Sequence, residues 1–237
     1  MSESISLLGN YPYNPRYAGA VQHNSKTNEP FIALPAPHSN IHLTPPRLDD
    51  ADDILPIMNN REIFMNLASA PYPYLESIAM RACGIESETM RMLWHTCRTL
   101  LKMSNILGDI GLVRECEFCE IDDKESRADA VNTDMSLPPG DPRIVWTFGN
   151  YLRPTHQGRG IMSVVIKTVT DVWAIPHMNA RRFYAAAFIE NVGSQKVFQK
   201  NGFDIVSRVY GAIRFPESKG GHVKESIILR RDIPTPS

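Results

Sequence analysis

The sequence is poor in cysteine, in long apolar runs and in net charge, and each shortage excludes a class of protein. Four cysteines in 237 residues are too few for a disulfide-stapled secreted scaffold. No apolar run approaches the ~18 residues that a membrane-spanning helix needs, and the first ten residues lack the basic and apolar regions of a secretory signal. A formal net charge of -1 gives no electrostatic footprint for nucleic acid. We therefore expect a cytoplasmic protein, with the nucleus as the alternative compartment, and no nucleic-acid or membrane partner.

The length and the proline distribution predict one domain behind an extension. A chain of 237 residues suits a single good-sized core. Residues 1–40 contain five prolines and show neither a helical nor a strand period, so we interpret them as an N-terminal extension. Its aromatic residues, Tyr11, Tyr13, Tyr17 and Phe31, favour partial order. The predicted domain then spans residues 41–233, and its oligomeric state is left open.

The first half of the domain is predicted from its apolar patterns. Ile41 to Leu48 is typical of a short strand, and the acidic run after it precedes a helix that includes Ile54 and Met58. Residues 74–103 have a mostly helical composition, with a break expected at Gly84. Residues 106–116 favour a strand. The polar segment 117–143 is predicted to be an exposed loop.

The second half shows a clearer alternation of elements. The patterns predict a strand over 144–152, a helix over 160–175, a strand over 181–189, a helix from Asn191 to Asn201 and a strand from Phe203. Asn191 suits a helix N-cap, and Gly202 suits the position just after a helix. This order predicts an α/β (α+β) fold with a central sheet flanked by helices.

The stretch HQGRGIM, residues 156–162, lies between a predicted strand and a predicted helix. Gly158 and Gly160 allow backbone amides to turn outward, and the positive end of the following helix dipole adds to them. Arg159 adds a charge suited to a phosphate oxygen. The residues fit neither a Walker loop, because Ile161 follows the second glycine, nor a three-glycine dinucleotide fingerprint. Either the glycines only close a turn or the loop is an anion cradle.

Two motifs resemble those of the GNAT superfamily of acetyl-CoA-dependent N-acetyltransferases. QGRGIM is similar to the family's pyrophosphate signature: Gln or Arg, two residues, Gly, one residue, then Gly or Ala. Gln157 and Gly160 match it, whereas Met162 occupies the last place. ENVGSQKVFQKNGF, residues 190–203, resembles the Asn-x-x-Ser helix and Gly-Phe pair of the RimJ/RimL branch. The segments LGDIGLVR and DPRIVWTFGNYL resemble fungal members of that branch.

The resemblance implies the GNAT fold, with a mixed and mostly antiparallel sheet, and acetyl-CoA as cosubstrate. It implies direct transfer of acetyl to a primary amine, on a protein N-terminus or on a small molecule. It also implies a set of cofactor-binding residues along the sheet, the glycine loop and the last helix. These are Tyr151, Leu152, Gln157, Gly158, Arg159, Gly160, Ile161, Met162 and Asn191.

Catalytic groups are harder to place. Many members of the family have a tyrosine four residues before the Gly-Phe pair, but here that residue is Phe198. The resemblance therefore implies Ser194 as the acid for the departing thiolate; alternatively, Ser194 only shares the helix cap with Asn191. The strand 144–151 contains no Asp or Glu, so Glu217 and His222, from a loop that in this topology faces the substrate, are the candidate bases. A backbone amide near Leu152 would stabilise the oxyanion.

Two other classes of protein remain open on sequence grounds. Phe198, Met162 and the strand without a carboxylate are compatible with a CoA-binding regulatory module that has no turnover. Cys116 and Cys119 form a CxxC pair that suits a redox or metal protein, but other Cys and His residues lack a paired spacing. We expect reduced thiols and no metal.

Overall fold

The computed structural model describes residues 17, 19–89, 96–103, 105–114, 121 and 123–234. Tyr11, Tyr13, Cys116 and Cys119 lie outside the described residues, so the predictions made for them stay predictions. No helix in the described part of the chain is long and apolar enough to cross a membrane.

A single mixed sheet forms the centre of the molecule. Its strands pair in the order β1-β2-β3-β4-β5-β6-β7-β9-β8, and every described pairing is antiparallel except that of β6 with β7. The predicted mixed, mostly antiparallel sheet is thus confirmed. The strands are β1 Gln22–His23, β2 Pro30–Ala33, β3 His42–Thr44, β4 Thr96–Lys102, β5 Ile106–Val113, β6 Val145–Leu152, β7 Arg182–Phe188, β8 Asp204–Arg214 and β9 Val223–Asp232.

Helices flank both faces of this sheet. They are α1 Ala51–Met58, α2 Arg61–Phe64, α3 Glu76–Thr89, α4 Lys124–Ser136, α5 Ile161–Thr168, α6 Ile175–Met178 and α7 Val192–Gln199. A π-helical segment, Val169–Ala174, joins α5 to α6, and 3-10 turns occur at Leu48–Asp50, Pro154–His156 and Glu217–Lys219. The predicted helices at 160–175 and 191–201 are confirmed, as is the N-cap, because the Asn191 side chain accepts from the amide of Ser194.

Two hydrophobic cores lie on opposite faces of the sheet. The larger contains Phe148 and Leu152 of β6 together with Val165 of α5 and Phe198 of α7. The smaller contains Tyr151 of β6 packed with α1 and α3. Because successive side chains of a strand point to opposite faces, neighbouring residues at the end of β6 belong to different cores. This end of β6 therefore lies between two helical layers.

The predicted loop over 117–143 is wrong, because residues 124–136 form α4. Asp123 caps this helix by accepting from the amide of Ser126 at 2.7 Å. Near its other end, Asp134 is buried, accepts from the amide of Val145 at 2.7 Å and ion-pairs with Arg114. Burial raises the pKa of Asp134, while those two partners oppose the shift. The polar composition correctly predicted that most of this helix is exposed, but it did not predict the burial of Asp134.

The sequence predicted a mostly helical segment over residues 74–103, and this prediction is wrong for its last part. α3 continues through Gly84, where a break was expected, and residues 96–102 form β4 between β3 and β5. Leu100 and Leu101 are both fully buried, on opposite faces of the sheet. A strand covered on both faces has no alternating pattern, so its composition resembles that of a buried helix.

Part of the extension joins the sheet. β2 pairs with β3, and Leu34 is buried in the larger core. Lys102 of β4 lies 2.7 Å from a carboxylate oxygen of Asp50 and 3.9 Å from one of Glu29. Backbone pairing, apolar burial and ion pairs therefore attach residues 29–34 to the domain.

Candidate functional site

The parallel strands β6 and β7 separate partway along their length. They pair from Val145 with Arg182 to Phe148 with Ala185, but residues 149–152 and 186–188 have no such partner across the gap. On their outer sides these segments still pair with β5 and β9. The sheet is thus open at its centre, where backbone groups normally find partners. An extended ligand with amide groups would complete the pairing as an added strand does.

The backbone of Leu152 faces this gap. The amide of Arg153 donates to the carbonyl of Leu107 on β5 at 2.6 Å. Because peptide groups along a strand point alternately to its two sides, the amide and carbonyl of Leu152 point toward β7. The carbonyl accepts a hydrogen bond from Gln157 Nε2 at 2.8 Å. The amide of Leu152 is also directed into the gap, and no acceptor among the described residues contacts it.

Gly108 allows β5 to approach the same strand end closely. It lies opposite Leu152, and a Cβ added to it would overlap with the carbonyl oxygen of Tyr151. Only a residue without a side chain is accommodated there. The position of the Tyr151–Leu152 peptide group therefore depends on a glycine in the neighbouring strand.

The glycine loop presents a row of free amides beside the gap. Gly158 and Gly160 have φ of 73° and 78°, in the left-handed region that glycine tolerates best. Gly160 is the N-cap of α5, and no side chain caps this helix. Among the described residues, no acceptor contacts the amides of residues 158–163. The space around both glycines is open. This arrangement fits an anion held by amides and by the helix dipole.

Two arginines, Arg153 and Arg159, add positive charge next to the glycine loop. Burial, followed by the charges of Arg159 and Arg153, lowers the pKa of His156 below its usual value. The Nε of Arg153 is buried and has no hydrogen-bond partner among the described residues. A buried, unpaired guanidinium nitrogen is costly unless an anion binds next to it. The residues present therefore fit a diphosphate group.

The last helix places Asn191 and Ser194 on its first turn. Asn191 Oδ1 accepts from the amide of Ser194 at 3.1 Å, and Gln195 Nε2 donates to the carbonyls of Phe188 and Ile189 at the end of β7. The backbone amide of Ser194 thus takes part in the helix cap with Asn191, as the alternative interpretation expected. Ser194 is half-buried, which is compatible with the acid role that the resemblance implies.

The candidate bases of the sequence lie on the surface. Glu217 begins a 3-10 turn and is exposed, and its carboxylate folds back against Gly221. The ring of His222 contacts that of Phe215 at a centroid distance of 5.0 Å. Neither residue is buried, so neither is held at the gap by the core.

A buried carboxylate escaped the sequence reasoning. Asp109 lies on β5 directly opposite Tyr151 and is 5% exposed. Its side chain shares a face with Tyr151, because directly opposed residues of antiparallel strands do so. The signal was present as a single acid within the apolar run LGDIGLV. The bases considered from the sequence were on the central strand or in the loop with Glu217 and His222, whereas Asp109 is on the neighbouring strand β5.

No group of three or more His, Cys, Asp or Glu side chains suited to a metal ion occurs among the residues that the structure describes. The strand opening, the amide row, Arg153 and Arg159 constitute the candidate site.

Comparison with known proteins identifies a family for the chain. The sequence model of the acetyltransferase (GNAT) domain family matches residues 40–204. No curated protein sequence matches the chain significantly.

Solved structures with the same fold cover most of the chain at low identity. A ribosomal L7/L12 alpha-N-protein acetyltransferase, RimL, in complex with coenzyme A aligns with a TM-score of 0.64 and 14% identity, covering 86% of this chain and 98% of its own. The ribosomal-protein-S5-alanine acetyltransferase from Vibrio fischeri aligns with a TM-score of 0.61 and 14% identity, covering 81% and 93%. Spermidine N-acetyltransferase from Vibrio cholerae, in complex with CoA and spermine, aligns with a TM-score of 0.58 and 15% identity, covering 81% and 95%.

Proposed function

The chain belongs to the GNAT acetyltransferase family, and we propose that it transfers acetyl from acetyl-CoA to a primary amine by direct attack, at the opening between β6 and β7. Family membership makes it an N-acetyltransferase with acetyl-CoA as donor. The observation that carries the proposed location is the separation of these strands next to six consecutive free amides. A protein N-terminus and a small-molecule amine are both proposed acceptors.

We place the diphosphate of coenzyme A on the amides of residues 158–162, with Arg159 beside it. The amide of Gln157, which the resemblance included in this set, already donates to the carbonyl of Pro154 at 3.1 Å. The amide-bearing arm would extend along the end of β6 at Tyr151 and Leu152, where the amide of Leu152 points toward β7 beyond the last residue pair of the two strands. Asn191 would border the arm from the start of α7. Met162 does not obstruct this placement, because its side chain is buried in the larger core. Only its amide is left for the phosphate.

Three roles are needed for the transfer, and we assign each to the chain. Acetyl-CoA supplies an activated thioester carbonyl. The amide of Leu152 would donate to the oxyanion that forms on that carbonyl. Ser194 would donate a proton to the departing thiolate. The attacking amine must be neutral, so a base must take up its proton.

For the base we propose Asp109 ahead of Glu217. Asp109 is buried and lies opposite Tyr151, the residue next to the proposed oxyanion donor Leu152, whereas Glu217 is exposed.

Asp109→Asn is expected to lower kcat by roughly 10²-fold or more and to remove the acidic limb of the pH profile. Unchanged unfolding and CoA binding would separate this effect from loss of structure. A normal pH profile in this variant would return the role to Glu217 or to water.

The function is tested by release of free CoA thiol in the presence of a panel of amines and peptides, followed by mass spectrometry of the product. An acetylated amine with stoichiometric thiol is the expected result. Binding of acetyl-CoA without thiol release from any acceptor would instead favour a regulatory CoA-binding module. One observation keeps that alternative in view: Phe198, at the family's tyrosine position, is 1% exposed and packs against Phe148 and Phe203.

The cofactor loop is tested by Gly160→Asp. This change adds a negative charge and a Cβ at φ 78°, so it should abolish the thermal stabilisation that acetyl-CoA produces. Gly140→Asp is a matched control, because Gly140 also has a positive φ of 84° and open surroundings. Both variants carry the same backbone strain of about 1–2 kcal/mol. An undiminished acetyl-CoA shift in Gly160→Asp would exclude this loop as the phosphate site.

A further inference from the structure

The opening between β6 and β7 has two sides with different surroundings. α5 and α7 cover the side on which Leu152 and Ala187 point into the larger core. Tyr151 and Phe188 point to the other side, since strand neighbours alternate between faces. The glycine loop and α7 belong to the first side, where we place the cofactor. The amine must then approach from the side of Tyr151 and Phe188.

Lys219 anchors one wall of this acceptor side. It belongs to the β8–β9 connection, yet its Nζ donates to the carbonyl of Leu67, in the loop after α2, at 2.8 Å. The side chain is 4% exposed, and its Nζ lies 5.2 Å from the centroid of the Phe215 ring. Burial lowers the pKa of Lys219, while the carbonyl and the ring stabilise the ammonium.

Lys224 makes a parallel connection. Its Nζ donates to the carbonyl of Met65 at 2.9 Å and lies 4.6 Å from the ring centroid of Phe188 and 5.5 Å from that of Phe215. Phe188 is the last residue of β7, at the strand opening. Lys224 therefore connects the end of β7, at the opening between β6 and β7, to the loop after α2.

The loop that these lysines hold is itself closed. The rings of Phe64 and Tyr72 stack with centroids 4.0 Å apart. Asn59 donates to the carbonyl of Tyr74 at 2.8 Å and accepts from its amide at 2.9 Å. Segment 59–74 is thus one closed unit, attached to the β8–β9 connection by the ammonium group of Lys219 and to β9 by that of Lys224. We call Lys219, Lys224 and residues 65–67 the lysine wall.

The charge of the lysine wall is not neutralised locally. No ion pair with a carboxylate is formed by Lys219 or Lys224 among the described residues; their contacts are carbonyls and rings. Glu217, on the same connection, turns its carboxylate against Gly221 instead. Glu225, the next residue after Lys224, is exposed. Asp109, on the face shared with Tyr151, contributes one negative charge to the acceptor side. The two ammonium groups on the partly desolvated wall outnumber it, so the potential at the wall itself is positive.

We propose that the lysine wall selects an amine on an acidic molecule, the free N-terminus of an acidic peptide, and disfavours polycationic amines. This rests on the proposed function, because the wall is meaningful only beside a site of acetyl transfer. Like charges brought together across a site reduce affinity, whereas complementary ones steer encounter. Lys219 and Lys224 act here as positioning residues that also set the charge of the wall.

The test uses the full chain loaded with CoA and two labelled heptapeptides with free N-termini. They share their first two residues, and their remaining positions are mainly Asp and Glu in one and Lys in the other. Fluorescence anisotropy at low ionic strength is expected to show the acidic peptide binding about tenfold more tightly. The preference should shrink in 0.3 M NaCl, because the Debye length is then about 6 Å and exposed charges farther apart than this are largely screened. With acetyl-CoA, kcat/KM from thiol release should follow the same order.

Variants separate charge from structure. Lys219→Gln with Lys224→Gln should make the two peptides equivalent, whereas Lys224→Arg should retain the preference. Lys124→Gln, at an exposed lysine that begins α4, is the matched control and should leave the preference intact. A retained CoA thermal shift in every variant shows that the cofactor side is folded.

Equal binding of the two peptides, a preference for the basic one, or binding of neither overturns the lysine-wall proposal. The same holds if the double glutamine variant keeps the full preference. Failure of the wild-type chain to bind CoA would instead contradict the proposed function. Turnover of amines without any charge preference would leave that function standing and reject only the selection by charge.

Discussion

In the proposed site, residues of the glycine loop bind the cofactor mainly through their backbone amides, and their side chains position that backbone. Gln157 illustrates this, because its side chain binds the carbonyl of Leu152 and so connects the proposed phosphate loop to the proposed oxyanion donor. The family signature accepts Gln or Arg at this place, and both side chains donate hydrogen bonds. We interpret the residue as a brace between the loop and β6.

Gln157→Glu tests this brace. At neutral pH the carboxylate would oppose the Leu152 carbonyl instead of donating to it, which should weaken CoA binding by about 1–3 kcal/mol. Near pH 4.3, where a glutamate side chain protonates, the acid can donate again and affinity should recover relative to wild type. Isothermal titration with CoA across this range measures the effect. Gln157→Arg keeps a donor and serves as the control. A loss independent of pH would contradict the brace.

The pKa of His156 is expected to report occupancy of the proposed phosphate loop. Without ligand its pKa lies below the usual 6.5, because of burial and the charges of Arg159 and Arg153. The folded state therefore loses a small stabilisation as pH falls below 6.5, since the unfolded chain binds the proton first. A bound diphosphate should raise the pKa, and by reciprocity protonation should strengthen CoA binding. NMR titration of the imidazole, assigned with His156→Gln, measures this. An unchanged midpoint at saturating CoA would place the phosphates elsewhere.

At the scale of elements, the opening between β6 and β7 depends on the strands around it. β5 fixes the end of β6 through the close approach at Gly108, and α5 begins where the glycine loop ends. The correctly predicted elements, β6, β7, α5 and α7, all have strong local signals: a β-branched or apolar run, an amphipathic face or a capping residue. The wrong predictions concern β4 and α4. β4 is buried on both faces and so lacks the alternating pattern of a strand, and α4 is polar on most of its surface and so resembles a loop in composition.

Gly108→Ala is expected to destabilise the protein by about 1–3 kcal/mol, as overpacking does, because the new Cβ would overlap with the Tyr151 carbonyl. Displacement of that peptide group should also weaken CoA binding. Gly149→Ala is a control for stability, since a Cβ on this neighbouring strand would meet nothing within 4 Å. Urea unfolding and CoA titration of both variants measure the difference. Equal stability of the two would show that β5 has room to move.

At the scale of the whole molecule, residues 22–34 of the N-terminal extension share one sheet and one core with the domain. Leu34 is 2% exposed in the larger core, and β2 covers the edge of β3. Glu29 and Asp50 surround Lys102 of β4. The sequence boundary at residue 40 separates a proline-rich composition from a periodic one, and it does not coincide with a boundary in packing.

Removing residues 1–40 should therefore destabilise the domain by at least the ~1.5–3 kcal/mol that burial of a leucine contributes. Leu34→Ala in the full chain should cost about 2–5 kcal/mol. CoA should still stabilise the shortened chain, by about 2.7 kcal/mol at a concentration of 100 times its Kd, because the glycine loop lies elsewhere. Thermal and urea unfolding with and without CoA measure these terms. An unfolding midpoint unaffected by the deletion would contradict a structural role of the extension.

The sequence alone determined the features that depend on a few consecutive residues. Gly158 and Gly160 mark a turn before a helix, Asn191 caps the next helix, and apolar runs mark β6 and β7, since each depends on local backbone preferences. Only the tertiary structure decided where β6 leaves β7, that Asp109 lies opposite Tyr151, and that Lys219 reaches Leu67. Those contacts join residues far apart in the chain, and they depend on strand register and packing, which no short stretch of residues encodes.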